Sequence, residues 1–130
     1  MKAVLLRPDE AGAWKDLTAW HFDSFCRDEK WTPAELWAEI ATGHRQMWLA
    51  FDAGEVHAVA LTQIVDGSCK TCVVTHCAGQ GRGNWAHLIH DIGKWAKALG
   101  CVLLEAVTRP GWERVLTDMR KTHVILEKRL

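Results

Sequence analysis

The segment from Trp85 to Leu99 constrains this chain more than any other. Trp85, Leu88, Ile89, Ile92, Trp95, Ala96 and Leu99 stand at offsets 0, 3, 4, 7, 10, 11 and 14, while His87, His90, Asp91, Lys94 and Lys97 fall opposite. That spacing makes one wide apolar stripe on a helix, wide enough to need a sheet as its cover. Gly100 stops the helix, and the glycine-rich GQGRGN at 79–84 precedes it. A chain of 130 residues has room for one core of this kind and not for two, so 1–130 is read as a single domain. Its 48% hydrophobic and 25% charged residues match soluble globular chains and exclude disordered or collagen-like ones. No apolar run approaches the roughly 20 residues that a membrane helix needs.

The remaining elements follow from local signals. Lys2–Leu6 is a short apolar run stopped by Pro8, a first strand. From Asp9 to about Phe25 the chain has helical potential, with Trp14, Leu17 and His21 or Phe25 at helical spacing. A better-marked helix has Thr32 as N-cap, Pro33 at the first helical position, Glu35 three residues after the cap, and Gly43 as its stop. Gln46–Phe51, Val56–Val65 and Lys70–Ala78 are β-rich, separated by turn pairs at 53–54 and 66–67, and predict an antiparallel meander. Cys101–Val107 is nearly continuously apolar, as a central strand covered on both faces would be. A short helix from Trp112 to about Met119 and a last strand at Thr122–Glu127 complete the order βααβββαβαβ. The expected class is α/β (α+β), a mixed and mostly antiparallel sheet with helices on both faces.

Charge and cysteines narrow the chemistry. Sixteen basic and sixteen acidic residues cancel, which argues against a surface built wholly for nucleic acid. The balance hides a gradient: the first forty residues carry five basic and eight acidic side chains, and residues 108–130 carry six and three. Arg109, Arg114, Arg120, Lys121, Lys128 and Arg129 form a basic strip open to an acidic partner or nucleic acid, or simply to solvent. Five cysteines and no export signal point to reduced thiols and cytoplasmic synthesis. Cys69 and Cys72 make a single CxxC, and His76 and Cys77 point to opposite faces of a strand, so no zinc site is expected. There are eight Trp and no Tyr. Such a surplus of indoles exceeds what a core this size buries, and Trp112, beside Arg109 and Arg114, is read as part of a contact surface.

The order of elements, with its glycine-rich turn between the fourth strand and the main helix, resembles the GNAT (Gcn5-related N-acetyltransferase) superfamily over essentially the whole chain. The family's mark is a loop of the form Q/R-x-x-G-x-G/A, whose backbone N–H groups and following helix N-terminus bind the diphosphate of acetyl-CoA. Gln80 and Gly83 match it, and the resemblance assigns Gln80, Gly81, Arg82 and Gly83 to the cofactor. It also implies direct acyl transfer, with His76 on the fourth strand or Glu105 on the fifth as base. Trp85 stands where the family has its last small residue, Arg109 and Pro110 near its Asn, and Leu116 near its acidic Tyr.

More narrowly, ELW at 35–37, GHRQMW at 43–48, WAKALGC at 95–101, RPGWERVL at 109–116 and the final EKRL resemble small degenerate GNAT-like proteins of tailed bacteriophages. That resemblance implies a non-catalytic virion component of the tail, neck or ejected contents, without cofactor, located in the virion. Its partners would be other virion proteins or a second copy. The alternative is an acetyl-CoA-dependent N-acetyltransferase.

Overall fold

Two apolar clusters, one on each face of a five-stranded sheet, organise the molecule. The computed structural model describes every residue except Met1, Glu29 and Pro110, with Arg82, Gly83 and Asn84 described by their backbone alone. Strands β1 (Lys2–Leu6), β2 (Gln46–Asp52), β3 (Glu55–Asp66), β4 (Lys70–Gly79) and β5 (Leu103–Ala106) lie side by side in chain order. The first four pair antiparallel, and β5 joins β4 in parallel. A parallel pair cannot be closed by a tight hairpin, so the chain crosses from β4 to β5 through a long helix, α4 (Arg82–Ala98).

The apolar stripe read from the sequence is the face that α4 lays on the sheet. Trp85, Leu88, Ile89, Ile92 and Ala96 are buried there against Trp48, Ala60, Cys72 and Val74. Trp95 meets Trp48 edge-on at 5.1 Å. The opposite face is covered by α1 (Pro8–Ala11), α2 (Ala19–Phe25) and α3 (Pro33–Ala41), whose Phe22, Phe25, Leu36 and Ile40 close over Leu49, Val59 and Leu61. The start of α3 is a reciprocal capping box. Thr32 Oγ1 accepts from the Glu35 backbone N–H at 3.2 Å, and Glu35 Oε1 accepts from the Thr32 N–H at 3.1 Å.

Three expectations change. The helix expected from Asp9 to Phe25 is broken into α1, a short 3-10 turn at Gly12–Trp14, and α2. One helix through this region would carry Leu17 on the buried stripe; instead Leu17 is 63% exposed while Thr18 is fully buried, its hydroxyl donating to the Trp14 carbonyl at 2.7 Å. The break lets Trp14 turn edge-on to Phe51 while Phe22 stacks on Trp37. Secondly, β5 is an edge strand of four residues, not a covered central one: Leu104 packs toward α4, but Leu103 and Glu105 are exposed. Finally, 122–127 forms no strand and Trp112–Arg114 is only a 3-10 turn, so the expected order ends early. Val124, Ile125 and Leu126 stand in solvent, and 122–127 does not pair with the free edge of β5. Among the described residues, no helix is long and apolar enough to cross a membrane.

These two regions have opposite weights in stability. Deleting residues 122–130 should move Tm by only a few degrees, since the segment is exposed and its Lys30–Glu127 ion pair, at 3.5 Å, lies at the surface, where such pairs contribute about 0–1 kcal/mol. Ile92→Ala, in the centre of the α4 face, should cost about 2–5 kcal/mol in a denaturant titration. A large loss from the deletion would show that the tail packs.

Candidate active site

Along β4, one extra residue sets the geometry of the site. Leu61 of β3 is opposite His76 and Thr62 is opposite Val74, leaving Thr75 without a partner in a β-bulge. Cys72 and Val74 face α4. Strict alternation would send His76 the same way; the bulge instead puts its ring against Phe25 of α2, centroids 5.3 Å apart. The imidazole therefore faces the α2 side of the sheet.

A cavity of about 500 Å³ opens beside it. Pairing between β4 and β5 ends at Val74 and Ala106, with one further bond from the Val107 N–H to the Val74 carbonyl. From there β4 runs on to Gly79 while the segment after β5 leaves toward Trp112, and the gap between them is the cavity. Its floor is Thr75–Gly79, one wall is Val107–Arg109 with Trp112 and Trp85, and the other is Trp20, Ser24, Phe25, Arg27 and Asp28. Trp85 and Trp112 stack at 4.0 Å with 19° between their planes. Gly79 leaves no room for a side chain: a Cβ there would sit 2.7 Å from that of Ala58. Beyond it, Gly81 at φ +81° begins α4 and offers no side chain to cap the helix N–H groups.

Beneath His76 lies a buried polar chain. Arg45, 5% exposed, donates from Nε to Glu39 Oε2 at 3.2 Å and from Nη1 to Thr75 Oγ1 at 2.6 Å. The Trp31 ring covers its guanidinium at 4.8 Å. Thr75 Oγ1 also lies 3.0 Å from His76 Nδ1 and donates to the Leu61 carbonyl at 3.3 Å. Burial, then the Arg45 charge, lowers the His76 pKa to about 4, against the opposing pull of Asp28 and Glu39. The ring is neutral at pH 7. Cys77 is pushed up to about 12 by burial, so it stays a thiol and is no nucleophile.

The structure gathers only some of the residues singled out in the sequence. His76, Arg109 and Trp112 line the cavity. Glu105 does not: it is exposed on β5 opposite Val73, short of the site. Gln80 and Gly81 sit at the entry to α4, with the Gln80 N–H bonded to the His57 carbonyl at 3.0 Å, whereas the side-chain roles of Arg82 and Gly83 lie outside the described residues, as does Pro110. Trp112 is half-buried against Trp85, and Arg114 is exposed beside it. Trp85 turns into the α4 cluster, and Leu116 is buried in the same cluster. Among the described residues, no three His, Cys, Asp or Glu side chains converge to hold a metal. Arg45, Thr75 and Asp28 had no role assigned from the sequence. The consecutive polar pair Thr75–His76 inside an apolar alternation was the one available sign of the bulge.

Several solved structures of this shape are acetyltransferases by name. A probable acetyltransferase matches all of this chain over 97% of its own, with TM-score 0.75 and 13% identity. The fold is GNAT-like. A ribosomal-protein-alanine N-acetyltransferase from Brucella melitensis biovar Abortus 2308 matches over the full length of both chains, with TM-score 0.71 and 13% identity. An aminoglycoside acetyltransferase from an uncultured soil metagenomic sample, in complex with sisomicin, covers 99% of this chain and 95% of its own, with TM-score 0.73 and 10% identity. No protein-family model and no curated protein matches the chain.

The half-buried imidazole of His76 and the buried one of His21 make stability pH-dependent. His76 and His21 both have lowered pKa values in the fold, burial being the main cause for each. The unfolded chain takes up these protons below about 6.5 while the fold resists. Stability should therefore be complete above pH 6.5 and fall as the pH drops toward 4. His76→Asn should flatten that slope in urea titrations; an unchanged slope would show that His76 is not buried neutral.

Proposed function

We propose that the protein is an acetyl-CoA-dependent N-acetyltransferase with His76 as its general base. The observation that carries this reading is an imidazole lining a cavity between diverging parallel strands, with the glycine N-cap of a long helix following the same strand. The backbone at 80–83, where α4 starts, suits an anion such as a diphosphate, because a helix N-terminus presents N–H groups and the Gly81 N-cap has no side chain of its own to cap them. Bound acetyl-CoA would supply the thioester whose acetyl group passes to an amine with release of the thiol.

The chain's own groups then have defined tasks. Asp28, Trp20 and Phe25 attract and enclose an amine on the α2 side. The amine nitrogen forms the new N–C bond as the C–S bond breaks, and His76 takes the proton that this nitrogen loses. With no Tyr in the chain, water protonates the departing thiolate. The non-catalytic virion reading, with Trp112, Arg109 and Arg114 as an interface, rests on sequence resemblance alone, and no structural observation favours it.

Acetyl-CoA at 100 times its dissociation constant should stabilise the protein by about 2.7 kcal/mol in a thermal shift. His76→Ala should keep that shift while lowering turnover of a panel of amines by about 100-fold or more. Absence of any shift at millimolar acetyl-CoA would overturn the assignment.

A further inference from the structure

We infer that Thr75, itself held by Arg45, fixes the His76 ring in the tautomer that carries its proton on Nδ1 and leaves Nε2 free to accept one. The reasoning is a count of protons. Thr75 Oγ1 has one hydrogen and contacts three groups: Arg45 Nη1 at 2.6 Å, the Leu61 carbonyl at 3.3 Å and His76 Nδ1 at 3.0 Å. Arginine only donates and a carbonyl only accepts, so all three contacts are hydrogen bonds at once only when the hydroxyl hydrogen goes to Leu61; donating it to Nδ1 would forfeit the Leu61 bond. Nδ1 can then join the network only as a donor. The bulge makes this possible, because Thr75 and His76 are neighbours in sequence that would otherwise sit on opposite faces of β4.

Arg45 and Thr75 are thus positioning residues. Arg45 is anchored by Glu39 of α3 and roofed by Trp31, so the hydroxyl it holds cannot turn its lone pairs away from Nδ1 without giving up a charge-assisted bond. The charged groups around the imidazole are Arg45 from the turn just before β2, Glu39 from α3 and Asp28 from the segment after α2, with Arg27 and Arg109 on the cavity walls. Under the acetyl-transfer reading, on which only the kinetic consequence rests, the amine proton moves to Nε2. The imidazolium keeps its Nδ1–H bond to Thr75 until the proton passes to water.

The test uses the full chain with ¹⁵N-labelled histidine. Long-range ¹H–¹⁵N correlations at pH 7 distinguish the tautomers, and loss of one ring in His76→Asn assigns the signal. The native protein should show Nδ1–H, and the ring should stay neutral down to about pH 5. Thr75→Val should give mixed tautomers and lower kcat at least fivefold, with KM for acetyl-CoA within twofold; Thr75→Ser should restore both. An Nε2–H tautomer in the native protein, or an unchanged tautomer in Thr75→Val, overturns the inference. If Thr75→Val does not fold, Thr75→Ala, smaller and equally without a hydroxyl, carries the same expectation. If the tautomer is as stated but no amine is acetylated, the functional reading fails and the tautomer assignment stands.

Discussion

Side chains alternate along a strand, so the one unpaired residue at Thr75 decides which face every later residue of β4 meets. Before it, Cys72 and Val74 serve the cluster under α4; after it, His76 and Ala78 serve the side of α2 and α3. The site depends on this change of phase. In a regular strand His76 would lie among the apolar residues beneath α4, away from the acidic residue and the aromatic wall of the cavity.

A bulge leaves backbone and side-chain groups to be satisfied, and here a buried cation takes part. Arg45 spans α3 and β4 through Glu39 and Thr75, and its charge would be costly without them. The same charge opposes protonation of His76 and adds to the effect of burial. Packing, ion pairing and the state of the imidazole are therefore one problem. The divergence of β4 and β5 supplies the other half of the site: once pairing stops at Val74 and Ala106, the exposed floor of β4 is left open to a ligand.

Much of the frame was legible residue by residue. Thr32, Pro33, Glu35 and Gly43 bracket α3 because capping is local chemistry, and the stripe from Trp85 to Ala96 announces the face of α4. The meander follows from β-rich runs parted by Ala53–Gly54 and Asp66–Gly67. Other readings failed where the deciding contact is distant in sequence. The apolar content of Cys101–Val107 suggests a covered strand, yet burial depends on what lies beside β5, and 122–127 does not pair there. Likewise the break after Ala11 reflects where Trp14 and Phe22 find partners on two separate elements.

For the site the division is sharper. By itself the sequence determined the identities of the elements, the glycine turn before α4 and the absence of any phenol, because composition and local backbone preference need no partner. His76 was already visible as a candidate on the fourth strand. Only the tertiary structure decided which face His76 takes, that Arg45 and Thr75 lie against it, and that Glu105 stands apart. Strand register and burial arise from pairing between residues far apart in the chain, and a bulge is defined by its partner strand.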